Sequence, residues 1–329
     1  MQMPLDSLVN VFNETPRRMA FSATTTSAFN TWRVCLRSKL RELSGLDRME
    51  NWRVEPNVNE GDIEDVGDHF RQRWELRTAT DYWMPFWLLI PKGSPPYTPI
   101  VALHGHGGGA NDVVGIAPDD VAADRIKRLN YAYGLYAVRR GYLVVAPDKR
   151  GFGERSDSRN TCLALATSAL QLGMRFIGLH TWDAMRLVDW LLARKDVRPG
   201  PVGCIGLSGG GGGTMWLAAM DERVGCAVIS GHLANYENGA FGCICNAVPH
   251  LLQWADRGDI GGLIAPRPLL VESADNDECY SRERTLKAYE ITKRAYEVAG
   301  APDRIDIDLV AGRHEWSGRK AWDWLERWL

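Results

Sequence analysis

Residues Gly206-Leu207-Ser208-Gly209-Gly210 spell G-x-S-x-G, a spacing that lets a serine sit on a tight turn with its hydroxyl exposed, because small neighbours two residues away let the backbone pass. The apolar run Val202-Gly203-Cys204-Ile205 precedes it and the helix-like Thr214-Met215-Trp216-Leu217-Ala218-Ala219-Met220 follows, so Ser208 falls at a strand-to-helix turn. A serine hydroxyl is a poor nucleophile at neutral pH. It needs an imidazole to take its proton and a carboxylate to fix that imidazole. His314, in Ala311-Gly312-Arg313-His314-Glu315-Trp316, follows an apolar run and precedes the last helical stretch, the place such a base should occupy. His69 precedes the strand-rich part, His180 opens a helix, and His232 and His250 come before any suitable acid. Three acids compete after the run Arg267–Ser273: Glu272 lies inside the strand, and Asp275 and Asp277 lie on the loop. Asp277 is favoured over Asp275 because several loop residues are needed to swing a carboxylate toward the histidine. Finally, His104-Gly105-His106-Gly107-Gly108-Gly109 ends another apolar run. Glycines there let main-chain N–H groups approach a substrate oxygen, so the N–H of His106 or Gly107, with that of Gly209, is expected to form an oxyanion hole.

The rival readings of these motifs are weaker. Glycines 209–213 carry no Lys-Ser/Thr after them, so the group that neutralises nucleotide phosphates is missing. His104-x-His106 and Cys243-x-Cys245 are short metal-like pairs, but neither has further ligands at a metal-site spacing. No metal and no cofactor are therefore expected. Gly212 and Gly213 have no explanation in sequence beyond close packing.

These groups need a scaffold, and from Pro99 onward the rhythm supplies one. Short apolar runs at PIVALHG, GYLVVAPD, VGCIGLS, VGCAVISG, RPLLVES and RIDIDLV alternate with helical stretches at 181–193, 281–299 and the C-terminus. Runs of that length without polar alternation suit parallel strands buried on both faces. The expectation is an α/β fold with a doubly wound, mostly parallel sheet, whose functional groups sit on loops after the strand ends. Before it, RQRWELRT and WMPFWLLIP read as a hairpin-like pair. Residues 27–43 place Phe29, Trp32, Leu36, Leu40 and Leu43 on one helical face. We divide the chain into a helical extension, 1–50, and a main domain, 51–329, with a cap segment at 236–262 over the pocket. Phe241 and Trp254 in that segment, and Trp316 beside the histidine, are candidate pocket residues.

Composition narrows the partners. Of 329 residues, 39 are Lys or Arg and 41 are Asp or Glu, a net charge of −2, so no whole-chain field gathers nucleic acid or anionic membrane. No run of about 18 apolar residues suggests a membrane span, and the first residues lack a basic-then-apolar secretory pattern. Seven cysteines, mostly in apolar segments, point to reduced thiols and a cytoplasmic location. A homo-oligomer is left open, since N-terminal helices often pair subunits.

The chain resembles the α/β-hydrolases, in particular the dienelactone hydrolase-like branch that includes acetyl xylan esterases and cephalosporin C deacetylases. HGHGG, GYLVVAPDKRGFGERSD, HTWDAMRLVDWLLARKDV, GLSGGGGG, APRPLLVESADND and GRHEW follow one another in the order that family uses, over Pro99 to the C-terminus. The resemblance implies that Asp277 is the triad acid, at the family's offset from a glycine that is Ala274 here, and that Glu315 matches a His-Glu pair. Two positions depart from the pattern: Gly209 stands where a glutamine is usual, and Arg150-Gly151-Phe152 replaces Arg-Gly-Gln. Together the residues and the resemblance predict a serine hydrolase of small, short-acyl (acetyl) esters, carbohydrate esters among them, whose rate rises with pH as His314 loses its proton. The alternatives are a peptidase of the prolyl-oligopeptidase type, with the same triad, and a non-catalytic binding module of the same fold.

Overall fold

The computed structural model describes residues 4–237 and 242–329. Nine strands form one sheet: β1 (Val58–Asp65), β2 (His69–Ala79), β3 (Tyr82–Pro91), β4 (Pro99–Leu103), β5 (Leu143–Pro147), β6 (Val202–Leu207), β7 (Val224–Ser230), β8 (Leu269–Ala274) and β9 (Ile305–Val310). Their order is β1-β2-β3-β5-β4-β6-β7-β8-β9. The first three and the β3/β5 pair are antiparallel, and every pair from β5 through β4 to β9 is parallel. All residues of β4, β5 and β6 are buried, which is why their sequences are unbroken apolar runs. β1 reads VNEGDIED and is almost wholly exposed. Its charges suit an edge that must not recruit another strand, and they also hid it from a search for apolar alternation.

Because β5 and β6 flank β4 on opposite sides, the chain leaves β4 and β6 in opposite directions and opens a crevice above their C-terminal ends. One face of the sheet is covered by the short helices of 110–138 and the terminal helix Ala321–Trp328. The other is covered by the helices Thr26–Ser44, Phe176–Leu192, Gly209–Met220 and Arg282–Val298. Helix Phe176–Leu192 begins five residues before the apolar periodicity at 181 predicts it. Arg282–Val298 is capped by Ser281, and the chain turns at Gly300 with φ +74°.

Thr26–Ser44 is the amphipathic helix expected at 27–43, with a Thr25 side-chain cap and Gly45 at φ +81° closing it. Phe29, Leu36 and Leu40, with Phe21, Leu46 and Met49, are buried in the same core as the sheet, so the stretch 21–49 of the expected extension shares the main core. The arginines between them also act. Arg37 donates to the Ala219 carbonyl at 2.9 Å, and Arg267 donates to the Ala218 carbonyl at 2.6 Å. Both guanidiniums thus sit at the C-terminal, negative end of the helix that follows Ser208.

Candidate active site

Ser208 occupies the turn between β6 and helix Gly209–Met220 with φ +60° and ψ −121°. Non-glycine residues rarely adopt positive φ, and here the strain lifts the side chain of Ser208 out of the sheet, leaving it partly exposed among buried neighbours. The glycines around it are required by space. A Cβ on Gly210 would overlap the Leu103 carbonyl oxygen, and one on Gly206 would overlap the Gly210 backbone. Gly212 faces the His232 ring at 2.6 Å and Gly213 faces Leu103 at 3.0 Å from where a Cβ would be, which accounts for the two glycines the sequence left unexplained.

The loop after β8 delivers Asp277, whose side chain is 2% exposed. One carboxylate oxygen accepts the N–H groups of Cys279 and Tyr280, each at 2.8 Å, and the other meets His314 Nδ1 at 2.8 Å. Asp275, the competing acid, pairs instead with Arg282 at the surface. Glu272 stays within β8, accepting the Ser317 and Gly318 N–H groups. Burial pushes its carboxyl up to about 7, and through these two bonds it anchors the segment after His314. His314 lies between Tyr280, at a ring separation of 5.8 Å, and Gly231, where a Cβ would stand 3.1 Å from the imidazole. Gly231 also meets Asp277, and the Ser208 N–H donates to the neighbouring Ser230 carbonyl at 2.9 Å. The end of β7 therefore holds serine, histidine and aspartate at one edge of the crevice. The Ser208 hydroxyl makes no hydrogen bond to His314 among the described residues; such contacts commonly tighten only around substrate.

Replacing Asp277 by Asn should lower turnover by about 10³–10⁴-fold, as expected when the acid that orients a catalytic imidazole is neutralised. Asp275→Asn should stay within a few-fold of the parent. Steady-state rates of the two variants on one ester decide between the acids, and a larger loss at Asp275 would reverse the assignment.

The loop after β4 brings His106 beside the turn: the Cβ position of Gly209 lies 3.4 Å from Gly105 Cα and 3.5 Å from His106 Nδ1. Neither the His106 N–H nor the Gly209 N–H is used by an acceptor among the described residues, whereas Gly105 donates to the Tyr131 hydroxyl and Gly108 to Asp112. Gly107 is packed against Asp112. His104 is buried, and its ring bonds the Gly105 carbonyl and the Lys149 N–H, so it is structural and unavailable to a metal. Sequence reasoning missed Lys149. It is buried behind the turn, donates to the Gly209 carbonyl at 3.1 Å, and is pushed down to about 8 by burial. A lone lysine after an apolar strand carries no signal of such a position.

A cavity of about 350 Å³ opens at Ser208, lined by His106, Cys243, Arg257, Tyr280 and Arg284 among others. Two expected pocket residues lie elsewhere. Trp254 faces the N-terminal segment, under Lys39 and Arg18 at 4.5 and 5.1 Å, and Trp316 is buried against Tyr133 at 4.8 Å; aromatic rings in irregular stretches are as readily core as pocket. Phe241 lies outside the described residues. Within 236–262, the helix Arg257–Gly262 is buried against Arg282–Val298, with the Thr292 hydroxyl on the Gly258 carbonyl at 2.9 Å, so only part of the segment covers the cavity. Its Cys243-x-Cys245 pair, which had no partners in sequence, meets His106 and Cys162 in space.

A strained serine between β6 and its helix, a late histidine held by an aspartate after β8, and a glycine-rich loop after β4 on this sheet define an α/β-hydrolase. The profile of the Abhydrolase family matches residues 8–323, and the chain belongs to that family. It is similar to the curated protein "Putative hydrolase YtaP" of Bacillus subtilis (strain 168), with 27% identity over 262 residues, 74% of this chain and 83% of that one. Among solved structures it resembles a putative acetyl xylan esterase from Bacteroides fragilis NCTC 9343, with a TM-score of 0.81 and 20% identity over 94% of this chain and 82% of that one. It also resembles a glucuronoyl esterase from Solibacter usitatus, with a TM-score of 0.63 and 17% identity over 83% and 86% of the two chains. At these identities the likeness concerns the fold.

Proposed function

We propose that the protein hydrolyses carboxylic esters of small molecules through an acyl-enzyme on Ser208. His314 takes the serine proton as Oγ attacks the carbonyl and returns it to the leaving alcohol. A water, deprotonated by His314 in turn, then releases the acid. Asp277 fixes the imidazole with its Nδ1–H toward the carboxylate, and the N–H groups of Gly209 and His106 receive the oxyanion. The observation that carries the reading is the 2.8 Å His314–Asp277 hydrogen bond at the same strand ends as the left-handed Ser208. Short acyl groups are the preferred substrates in this reading, which is supported by structural neighbours that include acetyl xylan esterases. Arg257 and Arg284 are among the residues lining the cavity at Ser208, donating to the Ala234 and Asn235 carbonyls, and they place positive charge beside a largely apolar space, in keeping with an alcohol part that carries oxygen acceptors, carbohydrate esters among them. A reducing, cytoplasmic setting is in keeping with seven unpaired thiols.

The test is a panel of acetyl, butyryl, feruloyl and acetylated-sugar esters beside peptide amides. Acetyl esters should give the highest kcat/KM and amides should be inert. A preference for amides would favour the peptidase reading, and one for long acyl chains would overturn the short-acyl assignment.

A further inference from the structure

Next to the serine cavity, His106, Cys162, Cys243 and Cys245 converge from three stretches of chain: the loop after β4, the first residue of helix Cys162–Gln171, and the turn at 243–246. One ligand atom from each lies within 4.8 Å of all the others. Cys245 Sγ is 3.4 Å and Cys162 Sγ 4.0 Å from His106 Nε2. A tetrahedral zinc ion with ordinary bond lengths separates its sulfur and nitrogen ligands by ~3.6 Å and its sulfurs by ~3.8 Å, so small rotations of these side chains would complete the sphere. The cysteines are free.

Lys149 is a second, independent observation. Its ammonium is buried, lies within electrostatic range of Cys245 and Cys162, and has no carboxylate partner among the described residues. A divalent ion held by three thiolates and a neutral imidazole carries a net charge of −1, which is the counter-charge that an isolated buried ammonium lacks.

We propose that His106, Cys162, Cys243 and Cys245 bind one thiophilic divalent cation of the zinc class. Binding releases three thiol protons to solvent, and with four protein ligands the sphere is closed, so the ion has a structural role. It ties the 243–246 turn to the loop that carries the His106 N–H, using the ring of that residue and leaving its main chain for substrate. The inference does not depend on ester hydrolysis, because it is read by metal content.

The test uses the full chain made without a polyhistidine tag, reduced, equilibrated with zinc, dialysed and assayed by mass spectrometry for metal. About one zinc per chain is expected. Cobalt in its place should show intense thiolate charge-transfer and tetrahedral d–d absorption. Cys162→Ser and Cys245→Ser should each lose the ion, and Cys35→Ser, on the exposed face of Thr26–Ser44, should keep it. A wild-type chain kept reduced, with its thiols titrated as free, that retains no zinc overturns the proposal. That result needs no variant, so a misfolded substitution cannot obscure it.

Discussion

Ser208→Ala is expected to lower ester turnover by about 10⁴–10⁶-fold, the range seen when the nucleophile of a triad is removed and only binding and the oxyanion donors remain. The fold should survive. Alanine meets the same penalty at φ +60° as serine does, and the hydroxyl holds nothing else in place among the described residues. Matching thermal melts with lost activity, and loss of labelling by a serine-reactive fluorophosphonate, are the expected pair of results. A variant within tenfold of the parent would remove Ser208 from the chemistry and leave the fold as a binding module.

Gly210→Ala should instead destroy the protein. The added methyl would overlap the Leu103 carbonyl oxygen and stand 2.8 Å from Leu103 C and 2.9 Å from His104 C. These are backbone atoms at the end of the central strand β4 and of the residue just after it, which cannot rotate aside. Relief would require helix Gly209–Met220 to move off β4, and a loss of about 4 kcal/mol or more follows, in the range reserved for core overpacking and broken backbone geometry. Urea unfolding followed by circular dichroism measures it. Gly93→Ala, with open space around its Cβ position, is the control and should stay within about 0.5 kcal/mol of the parent. If Gly210→Ala melts like the control, the helix does not approach the strand this closely.

The three side chains proposed to carry the chemistry were legible because the turn that exposes one and the loops that deliver the others have recognisable sequence settings. G-x-S-x-G encodes the turn that exposes Ser208, and the placement of Asp277 and His314 follows from where a parallel sheet releases its loops. The choice of Asp277 over Asp275 rested on loop reach, and the structure shows the physical difference: two N–H donors and His314 at Asp277, against a surface guanidinium at Asp275. Non-local facts were not legible. Whether Trp254 and Trp316 face substrate or core depends on what packs beside them, and both pack away from the serine. The strand Val58–Asp65 carries no apolar period, because an edge strand needs none. Cys243 of the CxC pair has neighbours 81 and 137 residues earlier in the chain, Cys162 and His106 respectively, at separations no motif encodes.

Arg37 on the helix Thr26–Ser44 bonds the carbonyl at the far end of the serine's own helix. Helix Thr26–Ser44 therefore serves as a counter-electrode to the helix after Ser208: one pole of that helix faces the proposed oxyanion site, and the other is earthed by a guanidinium lent from an earlier stretch of chain.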